Sequence, residues 1–138
     1  MSESLVAQLD LSLAWTRVKD DLSIQRSFLN HPFQVDLLDA DLSSWLDRLS
    51  NEVAFDLYAP HTCGYVGVPK PFGAIRPGAD LTLADQVVFS ALLQVMRPQI
   101  QQAVEWDDPP PDYAYRFRED QNHPKWFQHH FPFWRSFD

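Results

Sequence analysis

Cysteine is almost missing from this chain: Cys63 is the only one among 138 residues. No intramolecular disulfide can form, and a lone thiol suits a reducing compartment, so the cytoplasm is the expected location. Glycine is scarce too, with four residues against eleven prolines. Many turns must then be stiff proline turns, with φ held at about −65°, rather than glycine turns. No stretch approaches the ~18 consecutive apolar residues of a membrane span. The opening MSESLVAQLDLSLAW has neither the basic start nor the long apolar run of a signal peptide, so no membrane association is expected. Positive charge is the minority: 11 Lys and Arg face 19 Asp and Glu, a net charge of −8. That argues against a protein that meets nucleic acid through an overall basic field, although a local basic site remains open. Gly-rich phosphate loops, GxSxG and HExxH are all lacking. His61, Cys63, His123, His129 and His130 show no CxxC or HxxxH spacing, so zinc is not expected. No His and Asn framework marks Cys63 as a nucleophile.

What is present is apolar and aromatic. Hydrophobic residues make up 45% of the chain and aromatic ones 14%, enough for one real core and too little chain for two domains. From Asp10, a plausible N-cap, Leu11, Ala14, Trp15, Val18 and Leu22 recur at helical spacing, with Arg17, Lys19, Asp20 and Asp21 on the polar face. Residues 23–40 read as a loop with at most a helical turn, because Pro32 biases His31 away from the helical region. A second helix follows Asp41, with Leu42, Trp45, Leu46, Leu49 and Val53 on one stripe. The two tryptophan-bearing helices should pack on each other or on a shared sheet. Residues 54–59 alternate as a short strand would, up to Pro60. Residues 65–77 read as a β-hairpin with its tip at 70–74. The strongest helix starts after Thr82, with Asp85 as the third residue of a capping-box variant. Val88, Leu92 and Val95 lie on its inner face, widened by Val87 and Ala91. Pro98 should kink or restart that helix, which could continue to about residue 106. A stiff acidic, Pro-rich linker follows at 107–111. The tail, 112–138, is dense in aromatic residues and needs a surface to cover it. Its pattern runs to Asp138 without a stop signal, as if further chain were expected.

The chemistry concentrates in VPKPFGAIRP. Lys70 and Arg76 flank one tight turn, and no Asp or Glu lies between Val66 and Ala79. A mobile ammonium beside a fixed guanidinium fork is what a phosphate site needs. An ordinary hairpin with two solvated charges has the same sequence.

The order VPKPFGAIRP, ADLTLADQVVFSALLQVMRPQIQQAV and PDYAYRF resembles the fingers region of bacterial reverse transcriptases: group II intron enzymes, retrons and antiviral, defence-associated branches. The matching features are Pro69-Lys70, Gly73, Arg76-Pro77, Asp85, Ala91-Leu92 and Tyr115-Arg116-Phe117. The aromatic stretches around Trp126-Phe127 and Phe133-Trp134-Arg135 are similar to those that precede the first catalytic strand in the defence-associated branches. The resemblance covers about half the chain firmly and the N-terminal third loosely. It implies an α+β fold, with helices packed around a small antiparallel hairpin in a fingers-like subdomain over 1–138. It also implies that Lys70, Arg76 and Arg116 bind nucleic acid or the phosphates of a nucleoside triphosphate. The further basic residue that often precedes the lysine in this family is replaced here by a neighbourhood of Gly64, Tyr65 and Gly67.

The family's palm carries an Asp after one strand and a later Asp-Asp pair that hold two magnesium ions for in-line attack on phosphate. Neither motif occurs here, and Asp107-Asp108 sits in a proline linker without flanking β residues. No catalytic residue, metal or cofactor is therefore expected in these residues. Magnesium, like nucleotide and template as partners, is expected only with a palm supplied. The rival reading is a non-catalytic interaction module whose tail, 112–138, docks a protein partner. On either reading the purified chain should incorporate no nucleotide on a primed template. Chelator-sensitive incorporation in a primer-extension assay would contradict this.

Overall fold

In the computed structural model of the protein the described residues are 3–24, 32–69, 73–104 and 117–126. Their elements run α1 (Glu3–Val6), α2 (Leu11–Ile24), α3 (Pro32–Ala40), α4 (Leu42–Ala54), β1 (Gly64–Pro69), β2 (Ile75–Asp80) and α5 (Leu83–Val104). The fold is α+β, with a two-stranded antiparallel sheet, as the periodicities imply.

The core is built where the helical stripes meet. Leu11, Ala14, Trp15, Val18 and Leu22 of α2 cluster with Leu49 and Val53 of α4 and with Val87, Val88 and Ala91 of α5. Each large apolar side chain buried this way contributes about 1.5–3 kcal/mol. Trp15 and Trp45 meet edge to face, with centroids 5.4 Å apart, so the two tryptophan-bearing helices do pack on each other. None of the clustered core residues comes from a strand. Asp10 caps α2 as its position suggests, accepting the Leu13 N–H at 2.8 Å. α5 runs through Pro98 as a single element.

Three expectations need correction. Residues 32–40 form α3 rather than a loop: Pro32 stands at the first helical position, where its missing N–H costs nothing and its fixed φ suits the helix. α3 is then tied down by Asp39, which accepts hydrogen bonds from Trp15 Nε1 at 2.9 Å and from Lys19 at 3.0 Å. Secondly, residues 54–59 form no strand. α4 ends there in a left-handed cap, with Asp56 at φ 59°, Leu57 N–H donating to Glu52 C=O at 2.8 Å and Asp56 N–H to Val53 C=O at 3.3 Å. Those N–H groups are consumed by the cap and cannot serve a sheet.

The third correction concerns Arg17. It lies on the face expected to be solvated, yet it is only 2% exposed. The segment 117–126 covers it. Arg17 donates to Gln94 Oε1 at 2.6 Å, Gln121 C=O at 2.5 Å and His123 C=O at 3.2 Å, and its guanidinium stacks 3.8 Å from the centre of the Trp126 ring. The segment is itself closed by an Arg118 N–H to Trp126 C=O bond at 3.1 Å. This part of the aromatic tail therefore packs on the helices, and Trp126 is buried. The 107–111 linker and the rest of the tail lie outside the described residues. Among the described residues no helix is long and apolar enough to cross a membrane.

Arg17 holds the His123 carbonyl and the Gln94 amide oxygen, and shares the Gln121 carbonyl with Gln94 Nε2, which donates to it at 3.2 Å. Replacing it with Met should cost about 2–4 kcal/mol in denaturant unfolding, because buried acceptors are left unpaired. Lys should recover little, since an ammonium cannot reproduce the planar fork.

Candidate nucleic-acid interface

The hairpin pairs Gly64 with Asp80, Tyr65 with Ala79, Val66 with Gly78, Gly67 with Pro77, Val68 with Arg76 and Pro69 with Ile75. Residues 70–74 therefore form the connection, as the proline and glycine punctuation implies, and Gly73 takes a left-handed φ of 80° there. Alternation sorts the side chains. One face carries Val66 and Val68 on β1 opposite Gly78 and Arg76 on β2. A side chain at Gly78 would meet Val68 Cγ2 at 2.9 Å, so glycine is what lets the two valines lie over the second strand. The other face carries Tyr65 and Ile75, which are 86% and 73% exposed. Pro69 and Pro77 are tolerated because both strands are edges.

Arg76 is exposed, and no ion pair involves it among the described residues. From Leu57 to Ala79 the sequence holds no Asp or Glu at all, a longer acid-free stretch than the turn alone suggests. Of the other residues that the sequence points to, Lys70 directly follows the last paired residue of β1. Its structure, like that of Arg116, lies outside the described residues.

A two-stranded sheet is marginal by itself in water, so its base must be held. The buried carboxylate of Asp85, in the first turn of α5, does this. On the chain entering β1, the Tyr58 hydroxyl donates to Asp85 Oδ1, and the His61 N–H lies 3.3 and 3.4 Å from its two oxygens. On the chain leaving β2, the Thr82 hydroxyl donates to Oδ2 at 2.6 Å, while the Asp85 N–H returns a bond to Thr82 Oγ1 at 3.2 Å. The capping box expected from Thr82 and Asp85 is thus present. What sequence spacing could not convey is that the same carboxylate also captures Tyr58 and His61, more than twenty residues upstream. The His61 ring adds a contact of 3.5 Å to Oδ2.

Burial alone would push the Asp85 carboxyl up. The hydrogen bonds from Thr82, Tyr58 and the His61 backbone outweigh it and hold the group below its ordinary value. Tyr58 moves the other way: burial, then its bond to the Asp85 anion, pushes the phenol well above its ordinary range.

Elsewhere His123 and Cys63 serve local structure. His123 Nδ1 accepts the Lys125 N–H at 2.9 Å, and Cys63 Sγ donates to the Gly64 C=O at 3.1 Å. Among the described residues no three His, Cys, Asp or Glu side chains converge on a possible metal position. Comparison with protein-family models, curated proteins and solved structures finds no match to this chain.

The Asp85 clamp sets a pH dependence. Because its folded carboxyl titrates below the unfolded value of 3.8, its contribution is present above that pH and is lost as the pH falls further. Tyr58 contributes below its unfolded value of 10.0, and that contribution is lost as the pH rises beyond it. Asp85→Asn should cost about 1–3 kcal/mol at neutral pH and flatten the acid limb of a stability profile. Tyr58→Phe should flatten the alkaline limb. Both can be measured by urea unfolding across pH.

Proposed function

We propose that the chain is the fingers part of an RNA-directed DNA polymerase, and that its hairpin contacts the phosphates of template or incoming nucleotide. The observation that carries this reading is the hairpin itself. It carries no Asp or Glu from its tip down to Asp80 at its base, with exposed Arg76, Lys70 in the connection, and both legs clamped to the start of α5. An anchored base with a cationic tip suits phosphate contacts that need a fixed fork and a mobile point charge. The ordered series of motifs shared with bacterial reverse transcriptases supports the same assignment and adds Arg116 to the contact set. Exposed Tyr65 offers an aromatic face of the kind on which an unpaired base can stack.

Chemistry at the α-phosphate would require two magnesium ions held by carboxylates of a palm. The residues of this chain do not fit that role: of its Asp-Asp pairs, Asp20-Asp21 lies within α2 and Asp107-Asp108 in a proline-rich stretch of sequence without flanking β formers, and no step through the metals is assigned to it. The chain's part is binding and orientation, in the cytoplasm, with nucleic acid and nucleoside triphosphate as partners.

Replacing Lys70 and Arg76 together with Ala should weaken binding to a primer–template while changing stability by less than about 0.5 kcal/mol. The salt dependence of the remaining binding should also become shallower by about one to two in the log–log slope, since each phosphate contact releases close to one counterion. Fluorescence anisotropy over a range of ionic strength measures both. Unchanged affinity and slope in a folded double variant would leave Lys70 and Arg76 as two solvated charges.

A further inference from the structure

An open groove of about 540 Å³ runs beside α4, outside the hairpin's anchorage. Asp47, Arg48, Asn51 and Glu52 of the helix line it, with Phe55 and Leu57 of the C-terminal turn at one end. Its volume lies within the range of about 300–1,000 Å³ that takes a small ligand, so it admits a few side chains of a partner. Phe55 and Leu57 are 72% and 73% exposed, although hydrogen bonds to α4 carbonyls fix their backbone. Two large apolar groups presented together at the end of a polar groove form a contact surface. The surroundings are acidic: from Asp36 to Asp56, Arg48 is the only cation among six carboxylates. Asp47 is exposed and enters no ion pair among the described residues. The hairpin has the complementary chemistry. On one face Tyr65, Gly67 and Pro69 stand opposite Ala79, Pro77 and Ile75, and all six are exposed and uncharged. Arg76, next to Ile75, projects from the other face. The spacings agree as well. Arg76 pairs with Val68, so Tyr65 and Arg76 lie ~10 Å apart along the arm at about 3.4 Å per residue. Asp47 and Phe55 lie ~12 Å apart along α4 at about 1.5 Å per residue, and about 80° apart around its axis.

We infer that the hairpin of one copy docks in the α4 groove of a second copy of this chain. The arm lies edge-on along α4, so that both of its faces meet the groove. Tyr65 and Ile75 cover Phe55 and Leu57 on one side, and Arg76 pairs with Asp47 on the other. Phe55 to Leu57 directly precede the chain that enters β1, so each groove lies at the foot of its own arm. Two arms exchanged about a two-fold axis therefore make the contact twice and close at a dimer. Chains of net charge −8 repel at long range, but screening beyond about 8 Å at physiological ionic strength leaves the local pair to decide. The inference goes beyond the fingers reading and does not rest on it. Pairing occupies Arg76 and withholds the hairpin from other ligands.

The experiment is sedimentation velocity of the full chain, without nucleic acid, over loadings of about 1 to 500 μM. Wild-type protein should show a reversible monomer–dimer equilibrium with a midpoint in that range. Arg76→Glu should weaken dimerisation at least about tenfold, and so should Asp47→Lys, because each sets like charges against one another. Both positions are exposed, so both variants should keep the wild-type circular dichroism. Mixing the two variants, or combining both changes in one chain, should restore the dimer, since the reversed pair attracts again. Should a variant fail to fold, the wild-type protein alone decides the matter. Amide chemical shifts followed on dilution should move between Asp47 and Leu57 and around Tyr65 and Arg76. They should stay fixed around Phe89 and Met96, the exposed apolar residues of α5. A chain that is monomeric throughout would overturn the inference, as would charge reversals without effect or without rescue on mixing. So would dilution shifts centred on Phe89 and Met96, which would place the contact between copies on α5.

Discussion

The carboxylate of Asp85 is the constraint on which the candidate site rests. A two-stranded sheet that adds nothing to the clustered core has little hydrophobic reason to hold one orientation. Here the orientation comes from a single buried anion that binds the entering leg through Tyr58 and His61 and the leaving leg through Thr82. Its position in the first turn of α5 adds the favourable end of the helix dipole and the unpaired N–H groups found there. The burial cost of the anion is offset by these donors, and the net effect is a carboxyl more acidic than usual. Removing any one donor weakens the anchor without touching the hairpin tip, so stability and surface chemistry can be separated by mutation.

Arg17 solves the mirror problem. Between α2 and α5 the apolar stripe of Leu11, Ala14, Trp15 and Val18 is bordered by a guanidinium that would be costly to bury alone. The 117–126 segment supplies two carbonyls and the Trp126 face, and α5 supplies Gln94. Directional bonds of this kind specify how the segment sits on the helices more sharply than apolar contact would. Oily surfaces tolerate sliding, whereas a five-donor fork does not. Trp126 then covers the charge and Phe117 packs against Trp126, with centroids 5.9 Å apart. The aromatic density of the tail thus has at least one definite use within the chain.

The legible parts of this protein were those with local causes. Helical stripes around Trp15 and Trp45, the Asp10 and Thr82 caps and the 64–80 hairpin all depend on neighbours within a few residues. α3 was obscured because Pro32 has two opposite meanings, a breaker within a helix and a good first residue of one. The 54–59 alternation was genuine, but a strand needs a partner while a helix cap needs only Asp56 to accept a positive φ. Arg17 was misread because helical periodicity defines a face and is silent on what covers it. The same limit hides the upstream half of the Asp85 clamp. The functional assignment drew on the order of several short motifs, which no spacing rule contains.

An acidic chain is compatible with the phosphate contacts proposed for its hairpin once distance is considered. The excess of acid is concentrated elsewhere: from Asp36 to Asp56 six carboxylates face the lone cation Arg48, while from Leu57 to Ala79 there are none. At physiological ionic strength the screening length is about 8 Å, so exposed charges beyond that distance are largely invisible to a phosphate at the hairpin tip. Net charge then governs solubility and the long-range approach of a polyanion, whereas binding is decided by the few charges close to it. A projecting hairpin increases that separation mechanically. The Asp85 anchor keeps its own negative charge buried at the base, where it is occupied by Tyr58, His61 and Thr82 rather than directed at the tip. The fold can therefore confine a cationic function to a small projection while the body remains acidic.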